Sequence, residues 1–213
     1  MKTMNTIFKF ALASITILMS SILANAQDFN TEKFNEKLYE QRVKERVKLM
    51  NDFVSYMADK SNPQDNRYYY RKKALSLFIG KGYEYEENGI PKEGVMMQTT
   101  SVNHPGVITS SFLRDYFSRL VNLKYTNVNI TSTEIAGMKV SALKKISSSD
   151  NKTLYMCTCQ YVQYFIGEYG DGRLYKDKTT KRIACYVEEE KTEDGLELMI
   201  LLGDVKAIST ERL

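Results

Sequence analysis

Three cysteines, Cys157, Cys159 and Cys185, are the residues in this sequence whose type and spacing best suit metal or redox chemistry. Residues 153–167 read as a β-strand, in which side chains two positions apart point to the same face. Their Cα atoms are then about 7 Å apart, too far for Cys157 and Cys159 to bond each other. The turn at 170–172 brings Cys185 opposite the pair. A disulfide from Cys185 to either partner is open, and buried free thiols are expected as the commoner arrangement.

Other residue types with catalytic potential are sparse. The only histidine, His104, lies in the turn-like NHPG segment, so three thiolates would lack a fourth ligand for zinc. Asp115 falls among the apolar residues of a predicted helix, but no acid stands out at an inward position. No G-x-S-x-G is present, and GDGR at 170–173 follows a strand without opening a helix. The sequence thus predicts no catalytic residue, no metal and no cofactor.

The composition is that of an ordinary globular chain, since 43% of the 213 residues are hydrophobic and 26% are charged. Without residues 1–26, which hold two lysines and no acid, 28 basic side chains are set against 26 acidic ones. This small excess argues against nucleic acid or an anionic membrane as a partner. The basic run KDKTTKR at 176–182 is interpreted as solvated surface.

The first 26 residues have the pattern of a signal peptide. Lys2 and Lys9 form a positive flank, an apolar run covers 10–23, and Ala24-Asn25-Ala26 is the small-x-small pattern that signal peptidase cleaves. We expect cleavage after Ala26, which leaves a single domain over 27–213 with no stable membrane insertion. The mature protein is therefore expected to be periplasmic or secreted.

Hydrophobic periodicity predicts helices first and strands later. Helices are expected over 31–58, over 65–79 and from 110 onward, each with an apolar stripe at helical spacing. A strand, a turn at Asn88-Gly89 and a second strand separate the second helix from the third. Beyond Asn122 the period changes to two and predicts five strands: 124–135, 139–146, 153–167, 178–190 and 196–208. Early helices and a late meander indicate an α+β domain.

This order of elements resembles the nuclear transport factor 2-like (cystatin-like cone) superfamily. The likeness rests on paired helices ending in ALSLFIG, the hairpin through GVMMQTT, the helix SSFLRDYFSRLVNL and the strands TLYMCTCQYVQYF, KRIACYVEE and LELMILLGDVKAI. The resemblance implies N-terminal helices packed on a strongly curved antiparallel β-sheet around a pocket. It spans about residues 31–208, in which the strand at 139–146 is an addition.

Two functions are compatible with such a pocket. The sequence favours an exported, non-catalytic module that binds a small ligand or an exported protein partner. The alternative, which the resemblance implies, is a small-molecule pocket enzyme of the isomerase, dehydratase or cyclase type. Tyr161 and Gln163 share the face of Cys157, and Tyr116 lies on the apolar side of the third helix. We therefore predict Tyr116, Tyr161 and Gln163 as ligand-binding residues.

The last predicted strand suggests self-association, because apolar residues occupy both of its faces. One face is expected to carry Leu198, Ile200 and Leu202, and the other Met199, Leu201 and Val205. A bare outer face would exceed the apolar patch that soluble monomers usually expose. We expect the first helix, a partner protein or a second copy of the chain to cover it, and we favour a homodimer through the sheet face.

Overall fold

The computed structural model describes residues 36–87, 89–193 and 195–213. The predicted signal peptide, the start of the first helix and Asn88 of the predicted turn lie outside the described residues. The chain divides into two compact units, residues 1–40 and 41–213, and of the first only 36–40 are described. The single domain over 27–213 stays a prediction. In the described part of the chain no helix is long and apolar enough to cross a membrane.

The described residues form three α-helices: α1 over 36–58, α2 (Gln64–Leu75) and α3 (Leu113–Val121). Apolar residues recur every three or four positions on one side of α1, and this side is almost completely buried. It carries Val43, Val47, Met50, Val54 and Met57. Phe117, one of the fully buried side chains of α3, packs edge-on against Phe78 with ring centroids 6.1 Å apart. These apolar stripes hold α1 and α3 in the core.

The second helix ends at Leu75, four residues before the predicted end. Phe78 adopts an extended backbone and forms a parallel bridge with Leu202 of the last strand, whose N–H donates to the carbonyl of Leu77 at 2.9 Å. Gly80 follows with φ of 58°, a left-handed conformation that glycine adopts without strain. The contact with the sheet therefore replaces the last predicted turn of helix.

The strands of the described residues are β1 (Tyr85–Glu87), β2 (Ile90–Lys92), β3 (Met96–Ser101), β4 (His104–Phe112), β5 (Asn127–Ser132), β6 (Lys139–Val140), β7 (Lys144–Ser148), β8 (Lys152–Glu168), β9 (Leu174–Thr192) and β10 (Gly195–Arg212). Strands β1 and β2 form a separate hairpin. The other eight form one sheet in the order β4-β3-β10-β9-β8-β5, and β6 and β7 also pair with β8. The late meander is thus confirmed, and the strand predicted over 139–146 is two short strands.

The hairpin of β3 and β4 corrects the predicted start of the third helix. His104 lies in a strand, and β4 continues to Phe112, so α3 begins at Leu113 and not near residue 110. Ser111 stays extended because it pairs with Met97 across the hairpin. Residues 104–106 of the NHPG segment therefore belong to a strand that the sequence pattern did not reveal, and Asn103 lies in the turn before it.

The predicted fold class, helices on a mostly antiparallel sheet, is confirmed. Pairs β8–β9 and β9–β10 run antiparallel over almost their whole lengths. One pair differs from the expectation, because β3 lies parallel to β10 with Met97 opposite Val205. The chain between β3 and β10 is long enough to make this crossover connection.

A bulge in β10 corrects the predicted faces of that strand. Leu202 pairs with Cys185 and Val205 pairs with Ile183, with a register shift between the two pairs. Since Cys185 and Ile183 share a face, the extra residue returns Val205 to the inner face beside Leu202. Both side chains are fully buried.

The hairpin of β1 and β2 covers part of the outer face of the sheet. Tyr186 points to that face, yet it is buried, and its hydroxyl donates to the carboxylate of Glu87. Gly203 lies so close that a Cβ there would stand 2.7 Å from Cε2 of Tyr186. Elsewhere on this face Met199 is 46% exposed. This hairpin was not among the expected covers, which were the first helix, a partner protein and a second copy, and the homodimer stays a prediction.

Candidate functional site

A cavity of about 280 Å³ is lined by side chains of β3, α3, β8, β9 and the segment after α3. Its lining includes Tyr116, Tyr125, Gln163, Phe165, Asp177 and Lys181. A cation and an acid therefore face one small space that also contains aromatic rings.

Strand alternation brings both ionisable groups into this cavity. The inner face of β9 carries, at every second position, Tyr175, Asp177, Thr179, Lys181, Ile183 and Cys185. The interpretation of 176–182 as solvated surface is therefore wrong for three of its residues, since Lys181 is 4% exposed, Thr179 6% and Asp177 8%. The parity of Lys181 with the apolar Ile183 was the signal that could have revealed this.

Lys181 is held by a chain of buried amides. Its Nζ donates to Oε1 of Gln163 at 2.7 Å, and Nε2 of Gln163 donates to Oδ1 of Asn51 in α1 at 3.4 Å. Its Nζ also lies 5.6 Å from the ring centroid of Tyr116. Burial lowers the pKa of Lys181 to about 8, although the charge of Asp177 acts in the opposite direction. A substantial fraction of this amine is therefore neutral slightly above physiological pH.

Asp177 is bound by hydroxyl groups. The hydroxyl of Tyr175 donates to its Oδ2 at 2.6 Å, and Ser101 Oγ lies 2.9 Å from the same tyrosine oxygen. Burial raises the pKa of the Asp177 carboxyl, against the hydrogen bond from Tyr175 and the charge of Lys181. Asp177 and Lys181 can each exchange a proton closer to neutral pH than ordinary residues of their types.

Aromatic rings make up another part of the lining. The ring of Tyr125 stands 5.5 Å from Phe165 and 4.6 Å from Tyr169 between centroids, and Phe165 is 5.7 Å from Tyr175. Burial and a hydrogen bond with Tyr169 raise the pKa of the Tyr125 phenol, so it stays neutral. The cluster offers flat apolar surface to a ring-shaped ligand.

The structure brings together two of the three predicted ligand-binding residues. Tyr116 and Gln163 line the cavity. Tyr161 lies on the same face of β8, directly across from Lys181, but it is 2% exposed and belongs to the core. Burial raises the pKa of Tyr116 to about 12, so its hydroxyl remains a donor at neutral pH. Ligand binding by these residues stays a prediction.

The three cysteines are buried and form no disulfide. Strand pairing places Cys157 directly opposite Cys185, whereas Cys159 faces Ile183. A hydrogen bond with Cys157 together with burial raises the pKa of the Cys185 thiol. The partner that the sequence left open for Cys185 is therefore Cys157, and the two thiols form no disulfide in this structure.

We expect three thiols per chain to react when the protein is denatured without reductant, because the structure contains no bond among its cysteines. Ellman's reagent in guanidinium gives the count, and the native protein should react slowly because all three are buried. A count of one would mean that Cys157 and Cys185 are bridged. The same titration after reduction serves as the control.

The remaining candidates of the sequence lie away from the cavity. His104 and Asp115 are exposed, on β4 and α3 respectively. No group of three or more His, Cys, Asp and Glu side chains that could hold a metal ion occurs within residues 36–87, 89–193 and 195–213. The ionisable groups best placed for ligand binding or proton transfer are therefore Asp177 and Lys181 of β9.

No protein-family model matches the sequence, and none of the curated proteins does. Among the solved structures similar to this chain is a candidate scytalone dehydratase from Novosphingobium aromaticivorans. It is 14% identical, the match covers 84% of this chain and 91% of that protein, and the TM-score is 0.35. An NTF2-like protein of unknown function from Exiguobacterium is 12% identical, and the match covers 75% of this chain and 96% of that protein with a TM-score of 0.30. A candidate dehydratase of the NTF2-like family from Streptomyces avermitilis is 13% identical, with 77% and 95% covered and a TM-score of 0.26.

At these identities and scores the similar structures carry no argument about activity. The fold class rests on the chain's own elements: three helices in the described residues and a mostly antiparallel sheet, in the predicted order. The chain therefore has the α+β fold class that its sequence predicted.

Proposed function

We propose that this protein, after export, binds a small neutral molecule in the cavity, with a carbonyl or hydroxyl oxygen of the ligand facing Lys181. The observation that carries the proposal is the buried Nζ of Lys181, which lines the cavity and donates one hydrogen bond to Gln163. An ammonium group has three donors, so others can serve an oxygen of a ligand. A buried donor without a partner is costly, and a ligand oxygen would relieve that cost.

The volume and charge of the cavity limit the ligand. Typical small-molecule sites occupy roughly 300 to 1,000 Å³, so a cavity of about 280 Å³ suits a compound with a single ring. Asp177 offsets the charge of Lys181, which favours a neutral ligand over an anion. Tyr125 and Phe165 provide the apolar surface against which a ring can pack.

An enzyme of the isomerase, dehydratase or cyclase type is the second candidate, and it would use the same cavity. The observation in its favour is the pair formed by Lys181 and Asp177, whose pKa values are displaced toward neutrality by burial. Such a pair can remove a proton at one position and deliver one at another. Both functions require that the cavity bind a neutral ligand first.

Binding of benzyl alcohol should be detectable by saturation-transfer NMR, and benzoate should bind more weakly because Asp177 repels its carboxylate. Lys181→Met should weaken the binding of benzyl alcohol by about tenfold, since a hydrogen bond to a charged group contributes about 1.5 kcal/mol or more. Lys178→Met is the matched control, because Lys178 lies on the other face of β9 and pairs with Glu211 at 3.4 Å. Equal binding of both probes to all three proteins would refute the proposed site.

A further inference from the structure

We propose that Lys181 acts as a nucleophile and captures a small aldehyde or ketone in the cavity as a covalent Schiff base. The inference rests on the proposed function, because a carbonyl compound must enter the cavity before it can react. It goes beyond that function by assigning a covalent step and a substrate class, the aromatic aldehydes and ketones with one ring.

The position of Lys181 suits an attack on a bound carbonyl group. The residue belongs to β9, which is paired on both sides by β8 and β10, so its backbone is fixed. Its side chain is 4% exposed and its Nζ is held by Gln163 at 2.7 Å beside the ring of Tyr116. The amine is thus directed at the cavity by contacts that do not use its lone pair.

The protonation state of Lys181 supports the same role. Only the neutral amine is a nucleophile, and desolvation in an apolar site is a known way to obtain it. Burial lowers the pKa of Lys181 to about 8. About 10% of the side chain is then neutral at pH 7, against about 0.03% for an ordinary lysine.

A purely structural lysine would be expected to form an ion pair with the nearest acid. Here the hydroxyl of Tyr175 binds the Asp177 carboxylate at 2.6 Å, and Lys181 donates to a neutral amide instead. Asp177 therefore influences Lys181 by its charge while its Oδ2 accepts the hydrogen bond of the phenol. This arrangement leaves the carboxylate available for proton transfer beside the amine.

The proposed reaction balances without an oxidant or reductant. The lone pair of the amine attacks the carbonyl carbon, the C=O π pair moves to oxygen, and one proton shifts from nitrogen to that oxygen to give a carbinolamine. A second proton from nitrogen then leaves with the hydroxyl group as water, and a C=N bond forms. Asp177 is the group in the cavity that can accept each nitrogen proton and return it to the departing oxygen.

The test traps the Schiff base by reduction. The purified protein is incubated at pH 7.5 with benzaldehyde and sodium cyanoborohydride, and the benzylated residues are identified by peptide mass mapping over time. Lys181 is expected to be modified at least tenfold faster than any other lysine, because its neutral fraction at this pH is about 200 times that of an ordinary lysine. The α-amino group of the chain has a comparable pKa, and mapping separates it from Lys181.

Lys181→Met and Lys181→Arg should lose the fast adduct, and Lys178→Met should keep it. Modification spread over exposed lysines, or a fast adduct that survives in Lys181→Met, would overturn the proposal. Should a Lys181 variant fail to fold, the site and rate of the adduct in the unaltered protein decide alone. Benzyl alcohol that binds without any fast adduct from benzaldehyde overturns the covalent step and leaves the proposed function intact. If neither probe binds, both proposals fail.

Discussion

The titration of Lys181 is expected to contribute about 3 kcal/mol to a rise in the free energy of unfolding between about pH 7 and about pH 10.5. Burial lowers the pKa of Lys181 from 10.5 to about 8 in the folded chain, whereas the unfolded chain keeps the ordinary value. Between these two values the unfolded state binds one proton more, so stability increases with pH. Below the folded pKa both states are charged, and the cost of burying the charge is fully present.

Tyrosines set the upper limit of this rise. Burial raises the pKa of Tyr85 and of Tyr116 to about 12, from an ordinary value of 10.0. Above pH 10 the folded state therefore binds more protons than the unfolded state, and stability falls as pH increases further. Burial also raises the pKa of Tyr125, Tyr161 and Tyr186, so the effects together predict a maximum of stability between about pH 9 and pH 10, above the usual range of about pH 5 to 8.

Urea denaturation at pH 7, 8, 9 and 10 gives the profile. Lys181→Met should remove the rise, and Lys178→Met should retain it because the Lys178 side chain is partly exposed and pairs with Glu211 at the surface. The difference between unaltered protein and variant at each pH isolates the titration of Lys181. Parallel profiles for the unaltered protein and Lys181→Met would show that Lys181 titrates as an ordinary lysine.

Replacement of Phe117 by alanine should lower the free energy of unfolding by about 3 to 5 kcal/mol, the usual cost of deleting a buried phenylalanine ring. The side chain is 0% exposed and packs edge-on against Phe78, which itself bridges to Leu202 in the sheet. Loss of the ring leaves a void between α3 and this segment. Because Tyr116 is the adjacent residue in α3, benzyl alcohol should also bind more weakly.

Tyr69→Ala is the control, because this aromatic side chain is 54% exposed. Surface substitutions of this kind usually change stability by less than about 0.5 kcal/mol. Equilibrium denaturation at pH 7 measures both variants, and saturation-transfer NMR measures the bound probe. A loss below about 1 kcal/mol for Phe117→Ala would show that α3 is not anchored through this ring.

Periodicity alone predicted the helices, the late strands and, where a strand is regular, which side chains share a face. The spacing of Val43, Val47 and Met50 predicted the buried side of α1, and alternation placed Gln163 on the face of Cys157. Both patterns are local, because the backbone geometry of one helix or strand sets the direction of every side chain on it. The order of helices before strands then sufficed for the α+β fold class.

Tertiary structure decided what each face meets, and this is where the site was missed. Lys181 and Ile183 share one face of β9, but alternation does not say whether a given stretch of that face adjoins core, cavity or water. The answer depends on α3, whose Tyr116 stands over Lys181, and on β8, whose Gln163 reaches its amine. Polar composition therefore suggested solvent for a segment that the neighbouring elements bury.

The pairing register between strands likewise cannot be predicted from the sequence of one strand alone. Cys157 and Cys159 were equivalent partners for Cys185 until the pairing of β8 with β9 set Cys157 opposite it. The bulge that turns Val205 inward exists because β10 must pair with β9 along one edge and with β3 along the other. Pairing is a property of two or more strands at once, so residues far apart in the chain determine it together.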